Sequence, residues 1–414
     1  MTELQTMGKK AKAAAIDLAK RTPKQKTQAL LEIAAALRSR EADLLAANAL
    51  DRQAAAADGM SPAMLDRLTL NHERIEDIAK GIEEIAAMKD PVGSLVEGGV
   101  LPNGLKVQQI RVPLGVVGII YEARPNVTAD AAALCLKSSN AVILRGGKES
   151  FHSNRAIAFT MREAAEQAGM PADCIQFVQD TSRESSKEMM GLVGYLDVLI
   201  PRGGAGLIRC VVQNSRVPVI QTGEGNCHIY VDEFADIDMA ASILFNAKTS
   251  RPSVCNAAET ALVHSKIAAE ALPRIREQLD KKQVELRGCP RTMEILSGIT
   301  PATEEDWATE YLDYILAVKV VDSLEEAMAH IAKYSTGHSE AIITENYRRA
   351  SQFIDEVDSA AVYVNASTRF TDGSQLGLGA EIGISTQKLH ARGPMGVEKL
   401  TSTKFIICGN GQIR

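Results

Sequence analysis

The sequence has no excess of positive charge, since 46 Lys and Arg residues face 52 Asp and Glu residues for a net charge of −6. Nucleic acids and anionic membranes are bound by concentrated basic surfaces, so neither is an expected partner. The chain has no apolar run long enough to cross a bilayer, and its first residues lack the apolar core of a secretory signal. We therefore expect a cytoplasmic protein whose partners are small molecules.

The cysteines lack any recognisable pattern. Seven occur among the 414 residues, an odd number without short paired spacings, which argues against a disulfide framework and against a zinc site. The seven histidines show no H-E-x-x-H motif and no clustering with carboxylates. We therefore expect reduced thiols and assign no metal.

Apolar spacing divides the chain into regions. The first ninety residues have the three-and-four spacing of helices, and Thr22-Pro23 is typical of a helix start. The segment "SLVEGGVLPNGLKVQQIRVPLG" (94–115) contains two extended runs separated by Pro-Asn-Gly, which predicts a hairpin. The tail, "KFIICGNGQIR", predicts a short strand that completes a sheet elsewhere.

From Gly115 onward, continuous aliphatic runs alternate with amphipathic stretches. This pattern is typical of parallel strands buried on both faces and separated by helices. We predict a doubly wound α/β domain, followed from about residue 229 to 365 by a second α/β domain. A chain of 414 residues is long enough for two or three such domains.

The usual glycine-rich dinucleotide fingerprint is missing after the predicted strands, and "GLGAEIG" (377–383) has neither the right spacing nor a leading strand. Instead, "NAVILRGGKES" places Arg145 and Lys148 just after a buried strand. Two cations there suit a phosphate monoester, such as the 2′-phosphate of NADP; the alternative is a solvated loop. In "IPRGGAGLI", Gly203 and Gly204 either present backbone amides to a phosphate or form a tight connection.

Cys255, in "TSRPSVCNAAET", stands in a small, polar segment that gives it little apolar cover. Most cysteines are inert core residues, so a reactive role requires further support. A free thiol has a pKa of about 8.5, and a nucleophile needs a lower value. Nearby cations, or the start of a helical turn in "VCNAAET", would provide it.

Six blocks resemble, in sequence and spacing, the landmarks of the aldehyde dehydrogenase superfamily over nearly the whole chain. They are "PLGVVGII", "NAVILRGGKES", "DVLIPRGGAG", "QTGEGNCHIYVD", "SRPSVCNAAETALVHSKI" and "EYLDYILAVKVV". A longer block, "EIGISTQKLHARGPMGVE" (381–398), is similar to the members that act on a phosphorylated glutamate in proline biosynthesis.

The resemblance implies an α/β aldehyde-dehydrogenase-like fold with three parts. Residues 1–92, 112–230 and 371–396 would form a Rossmann-type dinucleotide-binding domain, and residues 231–370 a catalytic domain. Residues 93–111 and 397–414 would form a small β oligomerisation element, so a homo-oligomer is expected.

The same resemblance implies the chemistry: NADPH-dependent reduction of L-glutamyl 5-phosphate to L-glutamate 5-semialdehyde and phosphate. Cys255 matches the nucleophile that forms a thioester, and Glu310 falls where the superfamily has a glutamate near the nicotinamide ribose. Arg145 stands where related dehydrogenases place a lysine against the cofactor ribose. A glutamate 5-kinase, which would supply the labile substrate, is a candidate partner.

Several site residues keep two interpretations. A second oxyanion donor, beside the Cys255 amide, would come from Arg124 or Asn126 in "YEARPN"; a salt bridge or a turn role is the alternative. Three side chains of "QKLHARGP" offer charge to the substrate's α-carboxylate or phosphate, or else hold the loop to the body: Lys388, His390 and Arg392.

Gln221 occupies the position at which hydrolytic members of the superfamily have a glutamate. Glutamine cannot remove a proton from water, and Glu224 is shifted along the chain, so a thioester would not be readily hydrolysed. The residue therefore favours reduction of an acyl phosphate over hydrolytic oxidation of an aldehyde. A noncatalytic dinucleotide-binding or assembly protein is a further alternative, and it leaves Cys255 unexplained.

Overall fold

The computed structural model describes residues 1–414, apart from the side chains of residues 62 and 63. The chain forms two compact units: unit 1 contains Met1–Thr222, Gly377–Gly383 and Met395–Arg414, and unit 2 contains Gly223–Leu376 and Ile384–Pro394. Among the described residues, no helix is both long and apolar enough to cross a membrane.

Unit 1 begins with five helices, as the apolar spacing predicts. The Thr22 hydroxyl accepts the Gln25 amide while the Gln25 side chain bonds back to Thr22, a capping box that starts the second helix at Pro23. The isoleucines of the fifth helix are buried on one face. The helices are α1 (Glu3–Leu18), α2 (Pro23–Ser39), α3 (Glu41–Ala57), α4 (Pro62–Leu68) and α5 (His72–Ala87).

A four-stranded parallel sheet forms the centre of unit 1, with helices between its strands. In chain order these are β3 (Val116–Tyr121), α6 (Pro125–Lys137), β4 (Ala141–Gly146), α7 (Phe151–Gln167), β5 (Ile175–Phe177), α8 (Arg183–Met190), β6 (Val198–Arg202) and α9 (Ala205–Asn214). The strand order is β5-β4-β3-β6, and β3 and β4 are buried throughout. Because β4 and β6 flank β3 on opposite sides, the order reverses there, and ligands of such sheets bind beyond the carboxyl ends at that point.

A second, antiparallel sheet in unit 1 confirms the predicted hairpin and tail strand. It contains β1 (Leu95–Val100), β2 (Lys106–Pro113) and β16 (Thr401–Cys408), with β2 in the centre. The hairpin turn is closed by a bond from the Gly104 amide to the Leu101 carbonyl (2.8 Å), and Gly104 has φ +85°, which a glycine adopts without strain.

Unit 2 is built on a seven-stranded sheet whose pairs are all parallel, in the order β10-β9-β11-β8-β7-β12-β13. Its elements are β7 (Cys227–Val231), α10 (Ile237–Thr249), β8 (Ala258–His264), α11 (Ser265–Leu279), β9 (Glu285–Gly288), α12 (Pro290–Ile295), β10 (Thr300–Pro301), β11 (Ile315–Val321), α13 (Leu324–Tyr334), β12 (Ser339–Ile343), α14 (Tyr347–Glu356) and β13 (Ala361–Val364). A two-stranded ribbon, β14 (Ile384–Ser385) with β15 (Gly393–Pro394), completes the unit. Parallel strands alternating with helices confirm the α/β fold class in both units.

Candidate active site

Cys255 lies in a tight turn at the amino end of β8 and is half-buried. The Ala257 amide donates to the Val254 carbonyl (3.1 Å), and the chain continues from Ala258 as a strand. A helix start at this position, one of two sources of thiolate stabilisation that the sequence allows, is therefore wrong. The β-branched and aliphatic residues that follow "VCNAAE" favour the strand, so no helix terminus acts on the sulfur at this position.

The segments that lead into β7, β8 and β11 meet at the amino edge of the unit 2 sheet, because the strands are parallel. Gly225 precedes β7 and packs on the main chain of Cys255, where a Cβ atom would overlap the Cys255 carbonyl. The Gly225 amide donates to the Glu310 carboxylate (2.8 Å), which precedes β11. Burial, the Gly225 amide and the nearby Glu224 charge act on Glu310, and burial is the largest effect, so the pKa of Glu310 is raised.

A second cysteine, Cys227, bonds to the main chain of the turn that carries Cys255. The Cys227 thiol donates to the Cys255 carbonyl (3.2 Å) and lies 3.9 Å from Nδ1 of His338. Burial raises the pKa of Cys227 well above its ordinary value, so this side chain stays a thiol and acts as a donor. Polar contacts continue from the His338 ring to the Ser339 hydroxyl (2.8 Å) and on to the Thr371 hydroxyl (2.7 Å).

The residue after the nucleophile is also fixed. The Asn256 amide group donates to the Thr371 carbonyl (2.9 Å), and the Asn256 carbonyl accepts the Thr368 hydroxyl (2.7 Å). The Arg369 guanidinium bonds to Oδ1 of Asn256 and donates through Nε to the Ser250 hydroxyl (3.0 Å). Cys255 is therefore held through its own carbonyl and through both polar groups of its neighbour.

In unit 1, the side chain of the predicted phosphate ligand Arg145 is bonded to main-chain carbonyls of the protein. Arg145 is the penultimate residue of β4, is buried, and donates to the carbonyls of Thr181 (2.6 Å) and Ser182 (2.8 Å). Burial lowers the pKa of its guanidinium from the ordinary value. Lys148, three residues further on, is exposed, and its side chain makes no hydrogen bond or ion pair within the described chain. Of the two predicted cations, Lys148 is the one that solvent and ligands can reach.

The predicted glycines Gly203 and Gly204 lie between β6 and α9, at the point where the strand order reverses. A Cβ at Gly203 would overlap the carboxylate of Glu122, which follows β3. The Gly204 amide donates to that carboxylate (2.8 Å). The glycines thus form a close connection whose amide is occupied by Glu122 in this structure.

The two candidate oxyanion donors lie at the start of α6. Arg124 precedes the helix and is half-buried, while Asn126 is exposed in the first turn and donates to the Asp130 carboxylate (3.1 Å). Burial raises the pKa of Asp130 to about 6. Gln221 is half-buried in the same unit, close to its end at Thr222.

The three candidate substrate ligands lie on the loop between β14 and β15. Lys388 pairs with Asp358, and Arg392 donates to the Asp358 carboxylate (2.8 Å) and carbonyl (2.9 Å). These two cations lower the pKa of Asp358, the Lys388 contact most. His390 is exposed and has φ 63°, in the left-handed region. The contacts of Lys388 and Arg392 favour the interpretation in which they hold the loop.

The structure brings together, within unit 2, Cys255 and Glu310, and it adds two residues that the sequence reasoning did not assign. Cys227 stands in the quoted block "QTGEGNCHIYVD", but a buried thiol gives no signal of a donor role in sequence. Arg369 is one cation among many in the sequence. Only its bonds to Asn256 and Ser250 reveal that it faces the turn of the nucleophile.

Comparison with known proteins agrees with this architecture. Residues 2–295 match the model of the aldehyde dehydrogenase family. The gamma-glutamyl phosphate reductase of Heliobacterium modesticaldum is 60% identical over 413 residues, which cover 100% of this chain and 99% of the relative. The crystal structure of the same-named enzyme from Thermotoga maritima has a TM-score of 0.97 at 50% identity, with 100% of both chains covered.

A more distant structure, an acetylating aldehyde dehydrogenase from Geobacillus thermoglucosidasius, has a TM-score of 0.72 at 20% identity over 100% of this chain and 97% of that one, and shows a shared fold. The chain belongs to the aldehyde dehydrogenase family, and within it to the gamma-glutamyl phosphate reductases.

Proposed function

We propose that the chain catalyses the NADPH-dependent reduction of L-glutamyl 5-phosphate to L-glutamate 5-semialdehyde and phosphate, with Cys255 as nucleophile. The observation that carries the proposal is that the main chain of a half-buried cysteine is fixed at its carbonyl, where Gly225 packs and the Cys227 thiol donates. The full-length relatives named for this reaction support the substrate.

A carboxylate resists hydride attack, and phosphorylation overcomes this by supplying a leaving group. The Cys255 thiolate attacks the acyl carbon, a C–S bond forms, and the C–O bond to phosphate breaks with its electron pair leaving on phosphate. A reduced nicotinamide dinucleotide, when bound, supplies a hydride to the thioester carbonyl. The C–S bond of the resulting cysteine hemithioacetal then breaks, which releases the aldehyde and regenerates the thiolate. Because no water enters, Gln221 is compatible with the reaction where a glutamate base would hydrolyse the thioester.

The residues of unit 1 fit a dinucleotide. Its parallel sheet reverses strand order between β4 and β6, and Gly203 lies there against the Glu122 carboxylate, where a Cβ would not fit. Gly203 and Gly204 would hold the diphosphate, with the Gly204 amide donating to a phosphate oxygen in place of the Glu122 carboxylate. Lys148 would contact the 2′-phosphate of NADP, and Arg145 would fix the 181–182 loop beside it.

We also propose that the protein is a homo-oligomer joined through the β1-β2-β16 sheet. Apolar side chains that are 45% to 68% exposed cover this sheet, namely Leu95, Val96, Val100, Leu101, Phe405 and Ile407. Exposed apolar patches of this kind mark association surfaces. Light scattering on the wild type, and on a variant with Phe405→Lys and Ile407→Lys, tests it: loss of the oligomer in the variant is expected. We further propose that a glutamate 5-kinase transfers its labile acyl phosphate directly to this protein.

The reverse reaction tests the function most directly. With semialdehyde, NADP and inorganic phosphate the protein should form NADPH, and omission of phosphate should abolish the signal. Phosphate-independent formation of NADPH and a free acid would instead identify a hydrolytic aldehyde oxidase and reject the acyl-phosphate mechanism.

A further inference from the structure

Two arginines of unit 2 lie near the turn that carries Cys255, one in sequence and one through its hydrogen bonds. Arg251 lies four residues before the nucleophile, just after α10, and is exposed. Arg369 lies on a short 3-10 helix, Thr368–Phe370, and is half-buried. Its guanidinium bonds to the side chain of Asn256 and donates to the hydroxyl of Ser250 (3.0 Å), so it bridges the neighbours of Cys255 and of Arg251.

The positive charge of this pair is not neutralised. Within the described chain Arg251 makes no hydrogen bond and no ion pair. Arg369 makes no ion pair, and its bonds go to an amide oxygen and a hydroxyl. Burial and then the charge of Arg251 lower the pKa of Arg369, whereas Asp372 and the Cys255 sulfur raise it. Two guanidinium groups that act on each other electrostatically, and that no ion pair holds within the described chain, form a site for an anion.

We propose that Arg251 and Arg369 form the phosphoryl-binding pair of this site, which holds the phosphate of the acyl phosphate and, in reverse, inorganic phosphate. The inference rests on the proposed function for the identity of the substrate, but its geometry does not. Guanidinium groups match the oxygens of a phosphate dianion, and two of them balance its two charges.

The position of the pair selects the phosphate rather than the α-carboxylate of the substrate. Arg369 touches Asn256, the residue directly after the nucleophile, and Ser250, the residue directly before Arg251. The phosphate leaves from the carbon that the sulfur attacks, whereas the carboxylate is at the other end of the glutamyl chain. Cations at the leaving-group end stabilise the charge that develops on phosphate as the C–O bond breaks. The same charges favour the Cys255 thiolate.

The first experiment measures phosphate binding without turnover. Inorganic phosphate, added to the full chain without substrate or cofactor, should slow alkylation of Cys255 by iodoacetamide in a saturable manner. Arg251→Gln and Arg369→Gln should each raise the half-protecting phosphate concentration by about tenfold or more, since each loses a charge-assisted contact. Arg369→Lys keeps the charge and should lose less. Arg348→Gln, which removes an exposed arginine of α14 in the same unit, should leave protection unchanged.

The second experiment separates the two anionic ends of the substrate by the reverse reaction. Either variant should raise the KM for phosphate by about tenfold or more with little change in the KM for semialdehyde. A rise in the KM for semialdehyde with an unchanged KM for phosphate would assign the pair to the α-carboxylate and overturn the proposal. Unaltered phosphate protection in both variants would also overturn it.

These outcomes are distinguishable from failure of the proposed function, because the protection assay needs no reductase activity. If Arg369→Gln does not fold, Arg251→Gln decides the matter, since this exposed side chain makes no hydrogen bond and no ion pair in the described chain.

Discussion

The main chain of Gly225 packs directly on the carbonyl of Cys255, and the space between them does not admit a side chain. Gly225 is in turn held by Glu310, so the nucleophile's turn is pressed between the segments that lead into β7 and β11. The glycine is required here for close approach and not for an unusual backbone angle.

Gly225→Ala should therefore displace the turn. We expect a loss of about 1 to 3 kcal/mol in the unfolding free energy, because the new methyl group overlaps main-chain atoms, and a larger relative loss of kcat. Denaturant unfolding and steady-state kinetics measure the two effects. Gly81→Ala is the matched control: nothing lies within 4 Å of its Cβ position in α5, so it should stabilise by about 0.5 to 1 kcal/mol. A fully active Gly225→Ala enzyme would contradict the packing argument.

Cys227 acts through Cys255, so its replacement tests positioning. Cys227→Val removes the donor to the Cys255 carbonyl, and Cys227→Ser restores a hydroxyl donor. We expect Cys227→Val to lower kcat with little change in KM and to cost about 1 kcal/mol of stability, and Cys227→Ser to recover part of kcat. If serine and valine reduce kcat equally, the hydrogen bond has no positioning role.

Cys255→Ser tests the covalent step. A serine hydroxyl is not ionised near neutral pH and its ester accepts hydride less readily, so turnover should fall by roughly 10⁴-fold or more, a scale typical of lost nucleophiles. Quenching the wild type during turnover should trap an acyl adduct on Cys255 by mass spectrometry. A serine variant with parental activity would exclude the thioester.

Lys148→Glu tests the choice of cofactor. The loss of one charge-assisted contact to a phosphate, about 1.5 to 3 kcal/mol, should weaken NADPH binding roughly 10- to 150-fold and NADH binding far less. Calorimetric titration with both cofactors measures this. Arg145→Gln should behave differently: it removes the bonds to the Thr181 and Ser182 carbonyls and should lower the stability as well. Equal losses for both cofactors in Lys148→Glu would remove the reason for naming NADP.

His330 should make unit 2 sensitive to acid. Burial, and secondarily the charge of His228, lowers the pKa of His330 from 6.5 to about 3. The unfolded chain therefore takes up this proton below about pH 6.5, whereas the folded chain does so only near pH 3. As the pH decreases through that window, the free energy of unfolding should decrease by up to about 1.4 kcal/mol per pH unit. His330→Gln should show a shallower decline in urea unfolding; identical slopes would contradict the assignment.

Much of the fold follows from local pattern. The Pro-Asn-Gly turn of the 94–115 segment and the aliphatic runs from Gly115 onward specify a hairpin and parallel strands, and both are present. Sequence cannot show which cations are bonded within the protein and which remain accessible to a ligand. Arg145 and Lys148 look alike in "RGGKES", but the start of α8 brings two carbonyls to Arg145 alone. Nearness of this kind is a tertiary property.

The sequence also does not show which residues of unit 2 come together at the site. Gly225, Cys255 and Glu310 are separated by long stretches of chain and meet because each precedes a strand of one parallel sheet. Ligands of open parallel sheets usually bind beyond the carboxyl ends of the strands. Here the nucleophile is at the amino edge.

The place of β2 in the middle of the antiparallel sheet has a consequence for biosynthesis. Its side chain Gln109 bonds to Thr403 of β16, 294 residues later. During translation, the backbone amides and carbonyls on one edge of β2 therefore have no strand partner until nearly all of the polypeptide has emerged. Premature pairing between nascent neighbours on a polysome is the hazard that this arrangement creates, and early binding of chaperones to the hairpin would counter it.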